Sequence, residues 1–414
     1  MNPFLEKPMS LNKLFKDWRS IYPKPYNKNE VDPYTKTRII LMNGTEFEAV
    51  WFSHQFSRHC TNNDLRRAIA ATRRSEQQQQ KIIATLKPGD ETILETTISY
   101  EQLAVDLTAA LAKREPDKHV KMALDFALLE DFDHLYRYSD LLEMERGIKA
   151  ENLVGHYTEI MPGRPTIAHH RYPTDNIRAY VDYCKAAPIT KLDIGIITAA
   201  EQQTMNYYMN VAGFYESDIG RNLYQEIGLV EEEHVSHYGG LMDPHLTWLE
   251  NLLNHEYTEC YLYYSCYEDE TDPCIKKIWE EHFCEEINHL HQAADLLKQY
   301  EGKEWQQVIP DGNFPELLKL HENKEYVRNI LKDTVQLTSI RDEYTNIGDL
   351  SKESLFFTFQ DIVNQNVEEV PSHKVIDQYI SKNKMDYRYE DKENPIEALR
   401  DRTCDNTSVG RKPL

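Results

Sequence analysis

Glutamates recur in this chain at a spacing that a bundle of long helical hairpins explains. Glu201 stands 30 positions before Glu231 (231 − 201), and Glu256 stands 30 before Glu286 (286 − 256). Each later glutamate opens an E-x-x-H step, Glu231 to His234 and Glu286 to His289. On a helix this step puts both side chains on one face, about a turn apart. The midpoints of the two pairs fall in Glu216-Ser217-Asp218 and Thr271-Asp272-Pro273, residues that turn chains and cap helices. In each hairpin, therefore, both carboxylates lie about 22 Å from the turn and meet at one level.

Subtracting 155 from these positions gives Glu46, Glu76, Gln79, Glu101, Asp131 and His134. Four residue types recur unchanged, Asp131 replaces Glu286 conservatively, and Gln79 stands opposite His234. The same offset, without a gap, pairs Pro33 with Pro188, Leu86 with Leu241, Glu115 with Glu270 and Gly147 with Gly302. The corresponding midpoints lie in Cys60-Thr61-Asn62-Asn63-Asp64 and Glu115-Pro116-Asp117, again turn chemistry. The chain reads as two copies of one four-helix unit.

A length of 414 residues and 40% hydrophobic content suit two such bundles with connectors. The expected class is all-α. Residues 1–40 read as an amphipathic docking helix near Leu11 to Tyr22 followed by a Pro- and Asn-containing link. Bundle one occupies 41–147, with its first helix capped near Asn43. A connector loop and a helix at Asn176 to Ala186 fill 148–195, and bundle two spans 196–302. The region 303–414 holds a second connector helix, an apolar piece near Leu355 to Val363, and a charged tail that wraps or stays disordered. If the second and third helices of each copy run parallel, a crossover is needed, and Lys87 to Ser99 and Leu241 to Leu252 are the segments left to provide it. The latter itself looks helical after Pro244.

A formal charge of −22 argues against nucleic acid or an anionic membrane as partner, since phosphate binding needs a basic surface. No apolar run reaches membrane-spanning length. The start has no basic segment leading into an apolar one, so no secretory signal is expected. The seven cysteines form no C-x-x-C pair, which excludes a zinc ribbon or rubredoxin-type centre and reads as reduced thiols in a cytoplasm. Cys266 and Cys274 flank a turn and could meet, but reduced thiols rather than a disulfide are expected there.

Four carboxylates facing inward repel one another and lose hydration, and two divalent cations would neutralise them. The expected metal ligands are Glu201, Glu231, His234, Glu256, Glu286 and His289 in bundle two, with Glu231 and Glu286 bridging. Bundle one offers Glu46, Glu76, Gln79, Glu101, Asp131 and His134, weakened by the neutral amide of Gln79. The bland alternative is a solvated acidic helix face, the usual meaning of a single E-x-x-H. His54, His59, His237, His282 and His291 read as ordinary structural histidines. Among the 26 tyrosines, Tyr207, Tyr208, Tyr263 and Tyr264 follow Glu201 and Glu256 by about two turns and read as core packing, with a redox role as the alternative.

The motifs Glu201, Glu231-x-x-His234, Glu256 and Glu286-x-x-His289 resemble those of the ferritin-like di-iron carboxylate superfamily, in two tandem four-helix bundles over residues 40–147 and 195–302. That resemblance implies a pair of iron ions, with manganese as the alternative, and an oxidoreductase that uses O2 or H2O2 on an unidentified small molecule. An electron donor would be a separate protein, because no nucleotide-binding glycine motif is present. A homodimer is compatible with this class. The competing expectation is a non-catalytic protein that stores iron or folds around it.

Overall fold

The structure is a computed structural model that describes residues 1–161, 163 and 168–384. In chain order its helices are α1 (Pro33–His59), α2 (Asn63–Ala84), α3 (Ile93–Arg114), α4 (Lys118–Arg146), the single turn α5 (Ala150–Leu153), α6 (Pro188–Phe214), α7 (Asp218–Gly239), α8 (Trp248–Asp269) and α9 (Pro273–Glu301). Then come α10 (Lys324–Thr334), an antiparallel hairpin of β1 (Leu337–Ile340) and β2 (Glu343–Asn346), α11 (Leu355–Val363) and α12 (Pro371–Asn383). The described chain is thus all-α apart from one small hairpin, and no helix in it is long and apolar enough to cross a membrane.

The 155-residue offset survives in the helix bounds. The pairs α1/α6, α2/α7, α3/α8 and α4/α9 have equal lengths of 27, 22, 22 and 29 residues. Local chemistry sets these ends. Asn62, Asp117, Ser217 and Asp272 sit in the four expected turns, and each side chain accepts from backbone N–H groups of the next helix. Thr92 with Glu95, and Thr247 with Glu250, form reciprocal capping boxes that start α3 and α8. Gly147 and Gly302 end α4 and α9 at φ 65° and 67°, where an L side chain would be strained.

Packing does not follow the sequence halves. One compact unit gathers Met1–Glu91, Val181–Ala200 and Met242–Leu320; the other gathers Thr92–Tyr180, Glu201–Leu241 and the described chain from His321. In unit 1 the hairpin α1/α2 packs on the hairpin α8/α9. Glu270 joins them, accepting from Thr35 Oγ1 at 2.6 Å, Arg38 Nε at 3.0 Å and Trp279 Nε1 at 3.0 Å. In unit 2 the hairpin α3/α4 packs with α7 and the second half of α6, and α10 and α12 lie against α4. Nearly every side chain of α4 from Val120 to Leu142 is buried, which explains why its sequence lacks a clean apolar stripe.

The expected bundles 41–147 and 196–302 are therefore not the compact units. The crossover reading fails at the loops 85–92 and 240–247. Eight extended residues reach about 29 Å at most, short of the roughly 33 Å of a 22-residue helix. The third helix starts at once instead, and the chain leaves unit 1 between Glu91 and Thr92. Its loop is fastened there: Tyr26 donates to Glu91 at 2.9 Å, and Lys36 pairs with the same carboxylate at 3.4 Å.

Other local expectations also shift. The first helix opens at Pro33, capped by Asp32, so Asn43 lies inside it. Leu11 to Tyr22 forms a 3₁₀ turn and bends rather than a docking helix, because Gln78 takes the backbone of Lys16 at both N–H and C=O while Asp17 binds the N–H groups of Arg19 and Ser20. Asn176 to Ala186 is not helical: Asp243 accepts from Tyr183 N and Asp182 from Cys184 N, while Asn176 accepts from Arg171. The sixth helix begins at Pro188, eight residues before the expected bundle boundary. The apolar piece at Leu355–Val363 is a helix, and the tail beyond residue 384 lies outside the described residues. The described cysteines, Cys266 and Cys274 among them, are free thiols.

If unit 1 needs α8 and α9 to cover α1 and α2, a chain of residues 1–147 alone has no partner for its first hairpin. It should show helix by circular dichroism but no cooperative thermal transition. A sharp two-state melt of that fragment would mean that the sequence halves fold independently.

Candidate metal centres

Every one of the twelve candidate ligands is buried, at 0–2% exposure. They assemble in two sets, each drawn from both halves of the sequence. Glu201, Glu231 and His234 meet Glu101, Asp131 and His134 in unit 2; Glu256, Glu286 and His289 meet Glu46, Glu76 and Gln79 in unit 1. The expected grouping of Glu201 and Glu231 with Glu256 and Glu286 in one centre is thus replaced. The levelling argument still holds, because it applies within each hairpin and is indifferent to which hairpin faces it.

In unit 2 two groups of ligand atoms form. Asp131, Glu201, Glu231 and His234 lie mutually within 4.8 Å, as do Glu101, His134 and Glu231. Glu231 belongs to both, as a carboxylate bridging two cations would. His234 Nδ1 stands 3.2 Å from Asp131, 3.2 Å from Glu231 and 3.6 Å from Glu201. Its Nε2 lies 2.8 Å from Glu130. With the proton on Nε2, the Nδ1 lone pair faces the carboxylates, which is the tautomer a metal ligand requires. Glu130 is held in turn by Arg171, which also pairs with Glu233 at 3.1 Å and donates to Asn176 at 2.8 Å. Tyr208 donates to Glu101, fixing one oxygen and leaving the other without a partner.

Unit 1 repeats the plan with changes. Glu76, Glu256 and His289 form one group and Glu256, Glu259 and Glu286 another, so here Glu256 is shared rather than the expected Glu286. Gln79 donates its amide N–H to Glu286, and its carbonyl oxygen has no partner. Tyr263 donates to Glu46, as Tyr208 does to Glu101. A cavity of about 10 Å³, room for about one water molecule, is lined by Glu76, Glu256 and His289 among others.

Burial and mutual repulsion raise the proton affinity of most of these carboxylates. Burial, then the charge of Asp131, pushes Glu201 well above the usual carboxylate range. Burial, then Glu231, does the same for Glu101, and burial raises Asp131 against the pull of His234. Glu231 is the exception: burial acts to raise it, but the imidazoles of His134 and His234 hold it at about 2. In unit 1 burial raises Glu46, Glu256 and Glu259, and lifts Glu76 to about 7 despite His289. For His289, burial opposes the charge but Glu286 dominates, raising it to about 10.

The donors fit a metal pair. Both oxygens of Asp131, of Glu201 and of Glu259, and one each of Glu46, Glu76, Glu101, Glu231 and Glu256, are buried without a hydrogen-bond partner, as are His234 Nδ1 and His289 Nε2. Such groups cost roughly 1–3 kcal/mol apiece when left unsatisfied, and more when charged. The N/O donor set suits iron, manganese or zinc.

Sequence reasoning missed several participants. Glu259 lies three residues after Glu256, on the same helical face, a signal that was legible. Glu130 and Glu285 each precede a ligand, and Glu285 pairs with Lys16 Nζ at 2.8 Å. Arg171 and Glu233 had no local signature. Of the other histidines, His54 and His59 are exposed, the latter stacked on Trp248. His237 contacts Tyr344 Oη and Phe126, and His282 Nδ1 lies 3.2 Å from Tyr263 Oη. Tyr207 stacks on Tyr100, and Tyr264 packs among Tyr267, Phe283 and Phe314. Tyr208 and Tyr263 are more than packing, since each binds a candidate ligand.

No protein-family model, curated protein or solved structure matches the chain.

The titrations predict how metal-free protein responds to pH. Glu76, with its folded pKa raised to about 7, loses stability as pH rises from the unfolded value near 4.5 to 7. His289, raised to about 10, contributes below 6.5 and loses that contribution between 6.5 and 10. Glu231, lowered to about 2, is lost only as pH falls below 4.5. Chelated protein should therefore melt at progressively lower temperature from pH 5 to pH 9 in differential scanning calorimetry. Protein loaded with divalent metal should show little of this slope; equal slopes would mean that cations do not reach these residues.

Proposed function

We propose that this chain is an oxidoreductase of the ferritin-like, dinuclear carboxylate type, built from two copies of one helical unit whose hairpins pair crosswise. Its complete centre comprises Glu101, Asp131, His134, Glu201, Glu231 and His234. Iron is the metal favoured by a mixed carboxylate and imidazole set, with manganese second. The observation that carries this reading is the group of buried, unpartnered ligand atoms in unit 2 with Glu231 common to both of its halves. Its four carboxylates balance two divalent cations, and each half keeps one imidazole.

When bound, an iron pair supplies Lewis acidity and redox equivalents for a reaction with O2 or H2O2. The chain's own residues define the environment. Glu130 orients His234, Arg171 holds Glu130, and Tyr208 fixes Glu101. Phe132 and Leu135, the neighbours of Asp131 and His134 on α4, are fully buried and apolar. The substrate is a small molecule and the reductant a separate donor protein. The described cysteines are free thiols, which suits a reducing compartment such as the cytoplasm.

Metal-free protein titrated anaerobically with Fe(II), with bound iron measured by elemental analysis, tests the reading. Wild type should bind iron, and Glu231→Ala should lose most of the iron of unit 2 while Glu286→Ala spares it. On exposure to O2 or H2O2, loaded wild type should consume the oxidant and gain ferric absorption. Iron bound without oxidant consumption would make the protein a store or scaffold, and absence of bound metal would remove the centre altogether.

A further inference from the structure

The two centres differ at two positions that compensate one another. Unit 1 has Gln79 where unit 2 has His234, and so lacks one imidazole. It has Glu259 where the 155-residue offset places Ala104 in unit 2 (259 − 155), and so gains one carboxylate. Glu259 is fully buried, neither of its oxygens has a hydrogen-bond partner, and one lies within 4.8 Å of ligand atoms of Glu256 and Glu286. His255 Nε2 is 3.6 Å away, beyond hydrogen-bond reach, and the charge of Lys16 is taken by Glu285 at 2.8 Å.

From this juxtaposition we infer that Glu259 is a metal ligand and that unit 1 is a separate, harder site, selecting manganese over iron relative to unit 2. The inference rests on the dinuclear reading above. Unit 2 presents four carboxylates and two imidazoles. Unit 1 presents five carboxylates (Glu46, Glu76, Glu256, Glu259, Glu286), the carbonyl oxygen of Gln79, and the imidazole of His289. Oxygen donors suit Mn(II), whereas imidazole raises the relative affinity for Fe(II), so the donor exchange shifts the preference in one direction. Ala104 is 6% exposed on α3, so no side chain there can supply the matching donor in unit 2.

Competition loading tests this without recourse to activity. Full-length metal-free protein is equilibrated anaerobically with equal concentrations of Fe(II) and Mn(II), and both metals are counted by elemental analysis, with Mn(II) also read by electron paramagnetic resonance. Each unit is isolated by disabling the other, with Glu231→Ala for unit 2 and Glu286→Ala for unit 1. Unit 1 should show a Mn:Fe ratio about tenfold higher than unit 2, the scale on which single supporting groups alter metal affinity. Glu259→Gln should lower that ratio several-fold with circular dichroism unchanged, and Gln79→His should move it the same way.

Equal ratios in the two units, or a ratio untouched by Glu259→Gln, would overturn the inference while leaving a dinuclear centre in place. Metal bound only in unit 2 would overturn it as well. Loss of metal from both units would instead remove the reading on which it rests.

Discussion

Buried carboxylate repulsion is the constraint from which the rest of this architecture follows. Glutamates and an aspartate have been carried into two helical interiors where water cannot solvate them, and the polar neighbours satisfy only part of their hydrogen-bonding capacity. Charges so placed are tolerated when something of opposite sign sits among them. Imidazoles provide some of that sign, most visibly where His134 and His234 keep Glu231 ionised. The remainder is the deficit that a pair of cations fits.

Holding several acids at one level requires straight, well-terminated helices, and the chain spends its polar turn residues on that. Asn62, Asp117, Ser217 and Asp272 fix where each second helix starts, so the distance from cap to ligand is the same in corresponding hairpins. Supporting residues then remove rotational freedom from the ligands. Glu130 holds His234, and the tyrosines Tyr208 and Tyr263 each take one carboxylate oxygen. Arg171 shows how far this extends: a fully buried guanidinium from a connecting loop is placed between Glu130 and Glu233, a costly arrangement unless both partners stay put.

The crosswise pairing of hairpins alters what each half of the chain contributes. Each centre takes one hairpin from each half of the sequence, so changes made in different halves meet in one centre. Gln79 and Glu259 illustrate the result. They come from different halves of the sequence yet both lie beside Glu286, an amide at one position and an additional carboxylate at the other. Superposing the two halves of the sequence at the 155-residue offset shows these as unrelated changes, because they are 180 residues apart (259 − 79).

The sequence by itself determined the eight long helices that pair at the 155-residue offset and the turns inside their four hairpins, and it picked out twelve candidate ligands that all prove buried, since periodicity, capping residues and equal spacing are properties of local chain geometry. It also holds Glu259 one turn from Glu256, on the same helical face. Tertiary structure alone decided which hairpins face one another. The ligand spacing is level for any antiparallel pairing, so nothing local distinguishes a partner 55 residues away from one 210 away (256 − 201 and 256 − 46). Loops of eight residues, fastened by Tyr26 and Lys36 to Glu91 in the first case, settled that choice by failing to span a helix. Arg171 and Glu233 were invisible for the same reason: they act on the centre through space, across chain separations that carry no periodic signal.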